Sequence, residues 1–186
     1  MTLPELAKLS VETYVKEKKI IEPPVDLPKE ILTRRAGTFV TIEKDGNLRG
    51  CIGTYLPLRQ NIAEEIIHNA IAAATEDYRF GPIKEEGFPY LSYTVYILGK
   101  PEPVKDISEL NPKKFGIIVK TAPFAFSNKK DVVFDGIVPH KTGLLLPDLE
   151  GVDTVEQQIS IACQKGGINH QKEKILIYKF TVEKYQ

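Results

Sequence analysis

Asp45-Gly46 narrows what this chain can become more than any other feature, because an Asp-Gly pair between two β-prone runs specifies a tight reversal. Thr38 to Lys44 leads into the pair and Leu48 to Thr54 leaves it, so these runs are expected to form a β-hairpin. The period then changes. Pro57 opens an expected helix in which Leu58, Ile62, Ile66, Ala70 and Ala73 share one face while Arg59, Glu64 and His68 lie away from it. The turn Asp77-Tyr78-Arg79-Phe80-Gly81-Pro82 ends that helix. Leu91 to Leu98 alternates as a third strand, which Pro101 and Pro103 stop.

The second half replays this order. Gly116 to Thr121 and Gly143 to Leu146 read as strands, Thr154 to Lys165 as a helix, and Lys174 to Val182 as a last strand. Thr154 and Gln157 have capping-box spacing, and Gly166-Gly167 supplies a left-handed residue to close the helix. Ala122 to Thr142 interrupts the repeat, and its Phe124, Phe126, Val132, Val133 and Phe134 suggest an added hairpin. At the other end, Thr2-Leu3-Pro4-Glu5 is a second capping box that opens a helix to about Ile20. Pro23, Pro24 and Pro28 make residues 21–37 a stiff connector. With 186 residues and 42 % hydrophobic content, the expectation is a single α+β domain over 1–186, with an internal pseudo-repeat at about 30–100 and 115–185.

Charge and motifs exclude several functions. Lys+Arg and Asp+Glu both total 25, so no global positive field draws the chain onto a phosphate backbone. Nucleic-acid binding would need a local patch such as Arg34-Arg35, Lys113-Lys114 or Lys129-Lys130. The first residues carry Glu5 and Glu12 without an unbroken apolar run, and no later stretch is long enough to span a bilayer, so a cytoplasmic protein is expected. Cys51 and Cys163 lie far apart and fit neither a zinc knuckle nor a disulfide framework. The acids at Glu64-Glu65, Glu85-Glu86 and Asp148, Glu150, Asp153 lack metal-site spacing and read as solvated. No Walker A segment or Gly-x-Gly-x-x-Gly is present, so no cofactor and no metal are expected.

The chemistry-bearing residues gather at the hairpin. Strand alternation puts Arg49, Cys51 and Gly53 on one face and Leu48, Gly50 and Ile52 on the other, which sets a guanidinium beside a thiol. A nearby cation favours the nucleophilic thiolate, and the flanking glycines Gly50 and Gly53 leave room for a ligand. Alternatively, Cys51 is an ordinary buried cysteine and the glycines permit a bulge or close packing. Loop length decides its neighbours. A loop of Asp45-Gly46 alone aligns Val40 and Ile42 with Cys51, whereas a three-residue loop from Lys44 aligns Phe39, Thr41 and Glu43 instead. None of His68, His140 and His170 is visibly placed as a base for the thiol. Asp77 and Arg79 bracket the end of the long helix, where the pair can orient an anion or pin its own loop.

These segments together resemble the AMMECR family. The resemblance rests on Gly37-Thr38-Phe39-Val40-Thr41, then Leu48-Arg49-Gly50-Cys51-Ile52-Gly53, then Asp77-x-Arg79-Phe80-x-Pro82, and it covers about residues 30 to 185. Glu85-Glu86, Pro101-Glu102-Pro103, Gly143 to Pro147 and Cys163-x-Lys165-Gly166-Gly167 support it in order and spacing. Gly81-Pro82 and Phe115-Gly116 depart from the family's usual Pro-Pro and His-Gly. The resemblance implies two β3α2-type repeats forming one barrel-like, largely antiparallel sheet with flanking helices. It places the family's signature on Arg49, Gly50, Cys51 and Gly53, with Asp77 and Arg79 nearby.

Three functions compete. The first is a small-ligand or catalytic site with Cys51 as nucleophile or ligand contact, Arg49 stabilising negative charge, and Thr41, Glu43, Asp77 and Arg79 around them. The second is a non-catalytic module that docks a Memo-like or radical-SAM partner, as the family resemblance suggests. The third is RNA binding through Tyr78, Phe80, Arg79 and nearby lysines, against which the neutral net charge counts.

Overall fold

The computed structural model describes residues 1–122 and 141–186, so the hairpin expected around Phe124 to Phe134, and His140, lie outside the described residues. The chain forms two compact units, Met1–Gly99 with Glu183–Gln186, and Lys100–Val182. The described helices are α1 (Leu3–Glu17), α2 (Lys29–Thr33), α3 (Ile62–Thr75) and α4 (Val155–Lys165). The strands are β1 (Thr38–Lys44), β2 (Asn47–Thr54), β3 (Leu91–Leu98), β4 (Glu102–Pro103), β5 (Gly116–Thr121), β6 (Thr142–Leu145), β7 (Ile175–Phe180) and β8 (Val182–Tyr185).

The first unit is built on a four-stranded sheet ordered β2-β1-β3-β8, with β1 antiparallel to both neighbours. Asp45 and Gly46 both have positive φ, 51° and 77°, and Lys44 pairs with Asn47, so the reversal is a two-residue loop. One sheet face is apolar. Val40, Ile42, Val95 and Ile97 are fully buried there with Ile62, Ile66 and Ala70 of α3 and Leu6 and Val11 of α1. Each such Val, Leu or Ile side chain contributes about 1.5–3 kcal/mol relative to exposure. Both expected capping boxes form, at Thr2 with Glu5 and at Thr154 with Gln157.

The second unit holds the sheet β4-β7-β5-β6, with α4 packed on β5 and β6. Ile117, Val119, Leu145, Ala162 and Cys163 form its core. Gln158 of α4 is also buried and donates from Nε2 to the Phe115 carbonyl at 2.7 Å.

Several expectations need correction. The α+β class and antiparallel pairing are present, but the described strands form two open four-stranded sheets and no closed barrel. β2 and β8 edge one sheet and β4 and β6 the other, so neither closes on itself. The helix expected from Pro57 begins at Ile62, because Asn61 caps it by accepting the Glu64 N–H, and Leu58 is left 71 % exposed. Glu65 is not a solvated acid: it is buried and accepts from the Thr54 hydroxyl at 2.5 Å and from the Leu58 and Arg59 N–H groups at 2.8 Å. The proline-rich connector contains the short α2, and the last strand divides into β7 and β8 around Thr181.

Candidate functional site

The hairpin register departs from plain alternation at one residue. Glu43 pairs with Leu48, but Ile42 pairs with Gly50, so Arg49 is the extra residue of a β-bulge. Beyond the bulge, Thr41 faces Cys51, Val40 faces Ile52 and Phe39 faces Gly53. The loop is therefore the short one, yet Cys51 has the polar neighbours that the longer loop would have supplied. Phe39, Thr41 and Glu43 share its face, and β3 adds Tyr96 and Thr94 opposite Phe39 and Thr41.

Cys51 is partly buried, and the Thr41 hydroxyl donates to its sulfur at 3.3 Å. Its backbone N–H, at the edge of β2, donates to Asp77 Oδ2 at 2.9 Å. Asp77 is itself buried and takes two parallel bonds from Arg79, Nε to Oδ1 at 2.9 Å and Nη2 to Oδ2 at 2.7 Å. The Arg79 N–H adds a bond to Oδ1 at 3.2 Å. The Arg79 side chain, with help from the Cys51 and Arg79 backbone N–H groups, holds the Asp77 carboxyl down at about 2 against the opposing effect of burial. The Asp77 bond raises Arg79, and the Cys51 sulfur adds to that effect. Burial raises Tyr96, with Cys51 and Glu43 contributing.

Arg49 serves a different contact. Its Nη2 donates to the Gly81 carbonyl at 2.5 Å, and its guanidinium lies 5.8 Å from the Phe80 ring centre, with that of Arg79 at 5.4 Å. Neither signature glycine leaves ligand space. A side chain at Gly50 would run into the Ala73 carbonyl of α3, and one at Gly53 into the Phe39 ring and the Thr38 carbonyl. His68 lies among Arg59, Glu64 and Glu65, its pKa lowered chiefly by burial, and His170 is exposed in the second unit.

A buried polar network escaped the sequence reading. Asn69 Nδ2 donates to the Thr38 hydroxyl at 2.9 Å and carbonyl at 3.1 Å, next to the Glu65–Thr54 bond. Its signal was Glu65 and Asn69 at i, i+4 beside the apolar stripe of α3. Among the described residues no group of three His, Cys, Asp or Glu could hold a metal ion, and no helix is long and apolar enough to cross a membrane.

The fold and hairpin define an α+β protein with two antiparallel sheets and a bulged edge strand carrying a thiol. The AMMECR1 family model matches residues 4–185, and the chain belongs to that family. A protein of Thermotoga maritima is 50 % identical over 95 % of this chain and 92 % of its own length. A protein of Clostridium acetobutylicum is 37 % identical over 97 % of this chain, which spans only 34 % of that longer protein. The crystal structure of an uncharacterized protein from Pyrococcus horikoshii matches with a TM-score of 0.80 and 32 % identity, over 98 % of this chain and 88 % of the other.

Proposed function

We propose that this protein carries a small-ligand or catalytic site on the polar face of the hairpin, with the Cys51 thiol as nucleophile or ligand contact. Thr41 orients the sulfur, Glu43 shares its face, and Arg79 supplies the positive charge, held in place by Asp77. Arg49 fixes the Phe80-Gly81 loop around them. The observation that carries this reading is the single connected set Thr41–Cys51–Asp77–Arg79, because a thiol contacted by a hydroxyl, on a residue whose N–H is held by the carboxylate that grips a guanidinium, is equipped to meet an electrophile or an anion. Alkylation followed by mass spectrometry tests it, with buried Cys163, whose pKa burial raises, as the internal comparison. Cys51 labels faster than Cys163, and Thr41→Val changes the rate at Cys51 alone. Equal, slow labelling of both thiols until unfolding would sink the proposal.

We also read the chain as one domain made of two copies of a strand-strand-helix-strand repeat. The orders β2-β1-β3 and β6-β5-β7 correspond, and Gly50 beneath Ala73 has its counterpart in Gly143 beneath Ala162.

One observation favours the docking module as a second reading. Tyr78 is 95 % exposed on a loop fixed by the Asp77–Arg79 pair, which is how an aromatic anchor for a protein partner is presented. Under that reading Tyr78→Ala abolishes capture of a Memo-like or radical-SAM partner and leaves Cys51 alkylation unchanged.

A further inference from the structure

Arg49 also lines a cleft separate from the thiol's polar face. A guanidinium has five N–H donors, and the Gly81 bond uses one. The cleft has a volume of about 230 Å³, and Lys44 and Lys84 line it together with Arg49. Pro82, Ile83 and Leu91 supply apolar walls, and among the described residues no carboxylate lines it. Gly87 completes the lining, where an added side-chain carbon would meet nothing within 4 Å.

The three cations come from separate segments that the backbone holds in place. Lys44 closes the hairpin and pairs with Leu91, and the Asp45 N–H donates to the Tyr90 carbonyl at 3.2 Å, fastening the turn to the start of β3. The bulge presents Arg49. Lys84 follows Ile83, which is buried and whose N–H donates to the Ala74 carbonyl at 2.8 Å, and the Lys84 carbonyl accepts from Gly87 at 3.0 Å. Elsewhere Arg34, Lys113, Lys141 and Lys179 are each paired with an acid. Lys44, Arg49 and Lys84 form no ion pair among the described residues. Three like charges around an apolar-walled cleft focus a positive potential inside it.

We infer that this cleft binds a small organic anion, a phosphate or carboxylate borne on an apolar body. Arg49 offers the planar fork that grips two anion oxygens, Lys44 and Lys84 act as point charges, and Pro82, Ile83 and Leu91 take the apolar part. The volume lies below the roughly 300–1,000 Å³ of pockets for drug-sized molecules, which selects a smaller ligand. The inference does not depend on the reactivity of Cys51.

The test is an amide chemical-shift titration of the full chain with phenyl phosphate, using phenol as the uncharged comparison. Saturable shifts concentrate on residues 44–49 and 82–91, weaken as salt is raised, and lose at least tenfold in affinity in Lys84→Glu, a change at an exposed position. Lys113→Glu, in the second unit, leaves the affinity unchanged, and so does Cys51→Ser whether or not the thiol proves reactive. The inference is overturned by shifts that do not saturate, by phenol binding as tightly as phenyl phosphate, or by full affinity in Lys84→Glu in a protein whose spectrum shows it folded.

Discussion

Asp77→Asn isolates the interaction on which the thiol's surroundings rest. In the native protein the carboxylate accepts two bonds from the Arg79 side chain and one N–H from each of Cys51 and Arg79, and its side chain is 4 % exposed. Its folded pKa of about 2 lies below the ordinary aspartate value of 3.8. That difference, at 1.36 kcal/mol per pKa unit, corresponds to about 2.5 kcal/mol of stability at pH 7. Arg79 is 43 % exposed, so solvent screening brings the expected value to about 1.5–2.5 kcal/mol. The sign follows from the depressed pKa. The stabilisation is fully present above the unfolded pKa and is lost as pH falls through the folded one, so about half of it remains at pH 3. Asn keeps an acceptor for the Cys51 N–H but presents its amide donors to a guanidinium that has only donors. Urea unfolding of native and Asp77→Asn proteins, read by circular dichroism, should show the full gap at pH 7 and a clearly smaller one at pH 3. The Cys51 amide should also exchange its hydrogen faster in the variant. A gap under about 0.5 kcal/mol at pH 7, or one independent of pH, would refute the account.

Gly50→Ala pushes a methyl onto the Ala73 carbonyl and should cost about 1–3 kcal/mol in urea unfolding, whereas Gly87→Ala meets open space and should be neutral or slightly stabilising. Glu65→Ala strands the Leu58 and Arg59 N–H groups and the Thr54 hydroxyl, and should cost about 2–4 kcal/mol with faster proteolysis within residues 55–61. Tyr93→Phe removes a buried hydroxyl that finds no hydrogen-bond partner among the described residues, so its unfolding free energy in urea should hold or rise, by up to about 1 kcal/mol.

Local features were legible because their causes are local. Asp45-Gly46, two capping boxes and the alternation of Leu91 to Leu98 each determine a backbone shape from adjacent residues alone, and each element stands where it was expected. Leu58 misled because it fits the helical period, while the reason the helix starts later lies in Asn61 and in a carboxylate that bends the preceding loop back onto itself. Sheet organisation was less legible. Periodicity tells which side of a strand is buried, not which strand lies beside it, and both sheets pair strands distant in sequence, β3 with β8 and β4 with β7. The Asp77–Arg79 pair was visible as a motif, but its hold on the Cys51 N–H spans 26 residues and follows only from the fold.

The bulge at Arg49 looks like an irregularity, but packing requires it. A two-residue loop with unbroken pairing would set Ile42 opposite Arg49 and Val40 opposite Cys51, placing a guanidinium and a thiol on the face that α3 covers. The backbone of α3 approaches β2 so closely at Ala73 that only glycine fits beneath it, so residue 50 must face the helix. Gly50 must then share the face of Ile42, and the count across a two-residue loop comes out one residue too long. Arg49 is that residue. The same insertion turns Cys51 toward Thr41 and Glu43 and takes Arg49 out of the alternation, so that its guanidinium reaches Gly81 and the cationic cleft. The steric demand of one helix carbonyl therefore explains why the signature's thiol and its guanidinium, two residues apart in sequence, serve different surfaces.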